Sequence, residues 1–376
     1  MKTEVITADA VIAGGGLHGL STAIHLANAG LRVVLLEQDR IGRHASSANA
    51  GGVRRLGRAL PEIPLAQAAL EQWHCIEDLV DDDCGFRESA QIKVAEDETG
   101  LIALEARSQS VRDCGFFHEQ VIDAATLRDM LPQAASHCVG GLIVRGDGHA
   151  DPFATVTAFH RKAVSLGVQV YERAPVREIT HSNDLWQVKS ALHRFESPYF
   201  VNAAGAWGGE IARLMGEAIP IEAQALMLMI TERIKPFLSG VVGAQGRALS
   251  FKQFDNGTVL MGGAYQGKAN MRTGQTTLDA RQLAANARAA VAIFPLMSRA
   301  RVTRAWAGIE GVTPDHLPII GAARQTGGYH LFGFSAHGFA LSPIGGRIIA
   351  DLISARQTNW PIAPFSASRF SKSSSV

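Results

Sequence analysis

The stretch "AVIAGGGLHGLSTAIHLANAGLRVVLLEQ", from Ala10 to Gln38, limits the fold more than any other part of the chain. Four apolar residues, Ala10 to Ala13, run into three glycines. Leu20, Ala23, Ile24 and Ala27 then recur at helical spacing, Gly30 stops the helix, and Arg32 to Leu36 reads as a second strand. This is a βαβ unit of the expected length, and Gly14, Gly16 and Gly19 fit G-x-G-x-x-G in the required place. Gly14 permits the turn, Gly16 lets backbone approach a pyrophosphate at the helix N-terminus, and Gly19 allows close packing on the strand. Glu37, at the end of the second strand, would accept hydrogen bonds from an adenosine ribose. Leu17, His18 and Gln38 complete the expected cofactor contacts. A glycine turn that merely joins strand to helix is the plainer alternative.

The chain has 376 residues, enough for two domains or one elaborated α/β unit. Apolar residues make up 47% and charged residues 19%, with 38 glycines, which describes a globular chain rich in tight turns. A net charge of +1 argues against nucleic acid or an anionic membrane as a partner. Cys75, Cys84, Cys114 and Cys138 match no zinc or CxxC spacing, so no metal site is expected. With no leader pattern and no apolar run long enough for a span, the expectation is a cytoplasmic protein with reduced thiols.

The βαβ unit does not separate NAD from FAD; the next segment bears on that choice. "GRHASSANAGGVRRLGR" is small and polar from Ala45 to Gly52, then abruptly basic, and such a segment can pass close to a flat ring. Here the chain resembles the D-amino acid oxidase-like family of flavoproteins, whose members wrap the flavin with a segment ending "AGG". The resemblance implies FAD, held by Ser46, Ser47, Asn49, Ala50, Gly51 and Gly52. It extends over nearly the whole chain. "GHADPFATVTAFHRKAVSLGVQVYERAPVREI" looks like the family's Asp-Pro helix start at Asp151 and Pro152, with a Gly167 stop and a strand ending near Val176, whose backbone in relatives meets adenine. In "YFVNAAGAWGGEIARLMG", Ala204, Gly205 and Trp207 match a turn that presses on the cofactor, although Trp207 also suits ordinary core packing. "RAWAGIEGVTPDHLPIIG" and "HLFGFSAHGFALSPIGG" look like the closing wall of the site. In the second, His330 to Phe334 reads as a strand, followed by a turn and a final helix. Gly308, Gly333, Ala336, His337, Gly338 and Phe339 would then reach the isoalloxazine.

The implied fold is α/β: a Rossmann-like FAD-binding domain (1–85, 145–217 and 305–365) with a second, mainly antiparallel substrate domain (86–144 and 218–304). Alternating stretches such as "SAQIKVAED" and "IEAQALMLMI", with the Asn256-Gly257 hairpin signal, support the second domain. The end of the chain, 366–376, reads as a disordered tail.

The chemistry implied is oxidation of a carbon bonded to nitrogen, with hydride passing to flavin N5 and the resulting imine hydrolysing; the cofactor carries the difficult step. Amino acid substrates need a carboxylate clamp, usually an arginine. In glycine and D-amino acid oxidases that arginine stands just before the proline loop, where this chain has Glu310 and Gly311. The "GIEG" wording is closer to the β-type flavoprotein subunits of opine oxidases and hydroxyproline dehydrogenases, which work with FAD- or iron–sulfur-bearing partner subunits. The expected substrate is therefore a secondary or D-configured amino acid of opine or hydroxyproline type. Self-sufficient glycine or sarcosine oxidation yielding peroxide, and a non-catalytic electron-transfer subunit, remain open. Arg54, Arg55, Arg58 and Arg304 are the replacement clamps, each equally readable as a surface charge. Glu310 would meet a cationic arm or anchor the loop, and His337 would line the pocket. FAD is expected to be noncovalent, because Asn49 stands where relatives place a flavin-linking histidine and no cysteine follows Cys138.

Overall fold

The structure, a computed structural model, describes residues 5–354 and 358–371. Its nucleotide-binding half is a six-stranded sheet in the order Gln169–Tyr171, Val33–Leu36, Ala10–Ala13, Tyr199–Asn202, Gly328–Phe332, Ile319–Ala322. All neighbours are parallel except the last pair. The strands Ala10–Ala13 and Val33–Leu36 are fully buried, as their unbroken apolar runs require. The helix between them, Leu17–Asn28, packs against the last helix, Gly338–Ile353. Gly346 makes this approach possible, since a Cβ there would lie 2.3 Å from Ser21 Oγ and 2.4 Å from the Ser21 carbonyl carbon.

The Asp-Pro start is present: Asp151 Oδ1 accepts from the backbone N–H groups of Phe153 and Ala154 at 2.8 and 2.9 Å, and Pro152 opens the helix Pro152–Ser165. The strand after it ends at Tyr171 rather than near Val176. Arg173 takes a left-handed turn (φ 53°) and its N–H bonds to Asp39 O, so the ladder stops. Val176 packs beneath a four-stranded sheet formed by Val5–Thr7 and the meander Glu178–Ser182, Leu185–Lys189, Arg194–Ser197.

A second sheet has eight strands in the order Val302–Val312, Glu222–Thr231, Val259–Gly262, Ser250–Gln253, Val241–Ala244, Gln91–Ala95, Gly140–Val144, Gln120–Asp123. Neighbours are antiparallel apart from Val241–Ala244 with Gln91–Ala95. One face carries a core of Ile92, Val94, Phe251 and Met261 against the helix Ala280–Ile293. The Asn256-Gly257 hairpin joins two of its strands, with Gly257 at φ 86°.

Two expectations change. "GIEG" lies within the strand Val302–Val312, not in a loop, so the boundary expected at residue 305 falls inside this strand. The strand pairs along its length with Glu222–Thr231, placing Glu310 opposite Gln224. The C-terminal stretch is ordered as far as it is described: Ala367–Phe370 forms a 3-10 turn, and Arg369 reaches Asp315 at 2.8 and 3.2 Å and Leu317 O at 2.7 Å. That bidentate pair ties the chain end to the Pro314–Pro318 turn. Residues 372–376 of the expected tail lie outside the described residues.

Candidate cofactor and substrate site

A cavity of about 670 Å³ opens beyond the carboxyl ends of the parallel strands and reaches under the eight-stranded sheet. At its nucleotide end Gly14 has φ 115°, and a side chain there would strike Ala203 O at 2.3 Å. Gly19 is equally constrained, with a would-be Cβ 1.9 Å from Gly14 O; it packs the turn and does not line the cavity. Gly16 lines it, with only Ser46 Oγ near a would-be Cβ, at 2.9 Å. Glu37 also faces the cavity. Its Oε2 accepts from Gly15 N–H at 2.7 Å and its Oε1 from Asp39 N–H at 2.8 Å, while burial raises its pKa above the ordinary carboxylate value. Lone pairs remain on both oxygens for a ribose diol. Gln38 is exposed and turned away.

Leu17 and His18 both line the cavity. The His18 ring stacks on Phe334 at 3.7 Å, neither ring nitrogen has a hydrogen-bond partner among the described residues, and burial pushes its pKa down to about 3, so it is neutral. Ala45–Ala48 forms one short helical turn. Ser46, Asn49, Ala50 and Gly52 face the cavity, whereas Ser47 and Gly51 do not. Gly51 (φ 70°) is there because a Cβ would meet Ala150 O at 2.1 Å. Asn49 caps this turn: Nδ2 donates to Ala45 O and Ser46 O at 2.9 and 2.8 Å, and Oδ1 accepts from Gly51 N–H at 2.7 Å. Ala204, Gly205 and Trp207 line the opposite wall. Trp207 lines the cavity and also packs with Ala206 and Ile309, while its Nε1 donates to Met271 O at 3.0 Å.

The roof is the strand Val302–Val312. Gly308 passes over Ala48, whose Cβ would lie 2.8 Å from a side chain at 308, and Trp306 Nε1 donates to Ala48 O at 3.2 Å. Glu310 follows on the same face, lining the cavity. Its Oε1 accepts from Ala336 N–H at 2.7 Å. The residual surface of Glu310 does not save it from desolvation, which holds its pKa up at about 7. The Ala336 turn is unusual, because Gly333, Ser335 and Ala336 all take positive φ (71°, 49° and 68°). Gly333, Ala336, Gly338 and Phe339 line the cavity, but His337 points aside and bonds Glu62 through Nδ1 at 2.9 Å. Desolvation pushes His337 down to about 4, so this buried ring is neutral near pH 7.

The arginines separate clearly. Arg55 is occupied, bonding Asp147 at 3.0 Å and Gln67 at 2.8 Å. Arg304 sits on an exposed strand end over Trp306 and does not line the cavity, so its position does not suit a clamp. Arg54 and Arg58 do line it, and neither forms a salt bridge among the described residues. Arg54 Nη1 donates to Leu56 O, and Arg58 Nε to Arg54 O at 2.9 Å, while Arg58 Nη1 has no partner among the described residues. Burial lowers the pKa of both, that of Arg58 to about 9. Two further residues, unnamed from sequence, complete this end: Lys93, lining the cavity from the strand Gln91–Ala95, and the fully buried Glu62. The alternation of "QIKVA" places Lys93 opposite the core face and was a usable signal; nothing in "LPEIP" distinguishes Glu62.

A glycine turn, an acid at the strand end with lone pairs free to accept, a small-residue segment along the cavity and the cavity's length fit FAD, and together with two cations unpaired among the described residues they define a flavin-dependent redox protein. Residues 9–352 match the family described as FAD dependent oxidoreductase (DAO), and the chain belongs to that family. It is 27% identical to the beta subunit of sarcosine oxidase from Rhizobium meliloti (strain 1021), over 97% of this chain and 88% of that protein. It is 25% identical to one subunit of the opine oxidase of Rhizobium meliloti, over 96% of this chain and 97% of that one. The crystal structure of glycine oxidase from Geobacillus kaustophilus shares the fold, with TM-score 0.90 at 24% identity, covering 97% of this chain and 99% of that chain. Among the described residues no helix is long and apolar enough to cross a membrane, and no group of side chains is arranged to hold a metal.

Proposed function

We propose that this chain oxidises the C–N bond of an amino acid whose nitrogen is a secondary amine, of opine or hydroxyproline type. The observation that carries the reading is Arg54: a half-buried, desolvated cation without an ion-pair partner among the described residues, lining the cavity next to the fully buried Arg58. An unpaired buried charge is costly and persists where a ligand of opposite sign completes it. FAD when bound supplies the hydride acceptor. The protein's own contribution is to hold the carboxylate at Arg54, exclude water beneath the Trp306–Glu310 strand, and favour the deprotonated amine. Neutral His337 and His18 add no competing cation at neutral pH.

The names of two relatives, each a subunit of an oxidase, support a heteromeric arrangement; in this reading the partner subunit carries a further redox cofactor that takes the electrons, and the protein works in the cytoplasm. The test is anaerobic flavin bleaching across secondary and primary amino acids. Arg54→Gln should lower reduction efficiency by roughly tenfold to hundredfold while FAD stays bound. Peroxide formed at the turnover rate by the isolated chain would favour a self-sufficient oxidase, and no bleaching by any amine would leave an electron-transfer subunit.

A further inference from the structure

The charges at the clamp end of the cavity do not balance. Arg54, Arg55, Arg58, Lys93 and Arg107 gather there, against the carboxylates of Glu62, Asp147 and Glu119. Two of the cations are already matched: Arg55 with Asp147 at 3.0 Å, and Arg107 with Glu119 at 2.9 Å. Glu62 is shared between His337 and the field of Arg58. His337 and His118 contribute nothing, since desolvation keeps both imidazoles neutral. Two positive charges are left over. They sit on groups that line the cavity, and one of them, Arg58, keeps a buried Nη1 with no partner among the described residues. Lys93 stands close enough to Arg54 to be disfavoured by it, so a single carboxylate would leave cation facing cation in a low-dielectric space.

From this imbalance we infer that the substrate carries two carboxylates, one held by Arg54 and the second by Arg58 with Lys93, on either arm of the amine nitrogen. The inference rests on the amine-oxidation reading above and narrows it to imino dicarboxylic acids, away from ring imino acids with one carboxylate. Glu310 lines the same cavity and forms no ion pair among the described residues, so it does not offset this excess by pairing with either arginine.

Binding of unreactive mimics tests the charge argument apart from turnover. Diglycolate places two carboxylates about an ether oxygen and has no nitrogen to oxidise; methoxyacetate is its one-carboxylate counterpart. Titrated into the flavin-loaded protein and followed by flavin absorbance and by thermal unfolding, diglycolate should bind about tenfold to hundredfold more tightly. Arg58→Gln should shrink that preference toward unity. If Arg58→Gln does not fold, the parent ratio and Lys93→Gln decide instead. Equal binding of the two mimics, or binding of neither, overturns the inference. Equal binding with a lowered flavin reduction potential in Arg58→Gln would assign the excess charge to the reduced ring. A diglycolate preference with no amine bleaching the flavin would keep the dicarboxylate site and sink amine oxidation. Bleaching by single-carboxylate amines with equal mimic binding would do the reverse.

Discussion

Glu310 joins two tasks in one carboxyl group. One oxygen accepts from Ala336 N–H and so steadies a turn in which two consecutive non-glycine residues are left-handed; the group as a whole faces the cavity. Gln keeps an acceptor for Ala336 and Leu does not, so the two substitutions separate the tasks. Glu310→Leu should destabilise the fold by about 0.5–1.5 kcal/mol in thermal unfolding, as the Ala336 N–H in the left-handed turn loses its partner, whereas Glu310→Gln should not. The pH dependence has a definite sign. The folded state holds the Glu310 proton up to about pH 7, above the ordinary glutamate range, so the contribution of this group to stability is lost as pH rises through that window. Glu310→Gln removes the dependence. Its unfolding temperature relative to the parent should therefore climb between pH 5 and pH 8. Flavin bound nearby would exclude more water and act in the same direction. A flat difference across that range would show that Glu310 titrates normally. If Glu310 also meets a donor-bearing arm of the substrate, Glu310→Gln should cost more with such substrates than with small plain ones.

The pair of helices Leu17–Asn28 and Gly338–Ile353 joins the two ends of the nucleotide-binding half. The first begins at the glycine turn and the second at the strained turn under Glu310, so their packing aligns the two walls that the cofactor must touch. Contact is tight at Gly346, where a Cβ would run into Ser21 Oγ at 2.3 Å and also into the backbone of Ser21 and Thr22 at 2.4 Å, which cannot swing away. Gly346→Ala should therefore force the helices apart, even though alanine is the better helix former by about 1 kcal/mol. Overpacking of this kind costs about 1–3 kcal/mol, measurable as a lowered unfolding temperature together with weaker FAD retention. An unchanged or raised unfolding temperature would mean that the interface yields without cost.

Across the whole molecule, residues of both halves line the cavity, and the FAD it would take is expected to be held without a covalent bond. Asn49, which stands where a linking histidine would be expected, spends its amide on Ala45 O, Ser46 O and Gly51 N–H. Cys84 and Cys138 are buried and carry thiols pushed up to about 12 and about 11 by desolvation. Neither is a thiolate at neutral pH. Acid or heat precipitation should release intact FAD into the supernatant; flavin remaining with the polypeptide would refute a noncovalent site. Because FAD binds the folded chain alone, excess FAD at about a hundredfold its Kd should add about 2.7 kcal/mol to stability.

The features legible in the amino-acid sequence are local ones. The turn glycines, the acid at the strand end (Glu37), the Asp-Pro helix start and the Asn256-Gly257 hairpin are set by backbone sterics and by hydrogen bonds over short stretches, and each stands where those constraints put it. The strand through Glu310, which displaces the boundary expected at 305, was not legible because "AWAGIEG" lacks strand-forming bulk. It is a strand because Glu222–Thr231 pairs with it, and its small residues are those that tolerate Ala48 on one face and Gly205 and Ala206 on the other. Which arginines face the site was undecidable in the same way. Arg54, Arg55, Arg58 and Arg304 are alike as letters. Only the folded chain gives Arg55 to Asp147, leaves Arg304 at an exposed strand end, and brings Arg54 and Arg58 beside Lys93 from a strand some forty residues further along. Charge pairing is a through-space property, falling with distance and dielectric rather than with separation along the chain, and so it was settled by the tertiary structure alone.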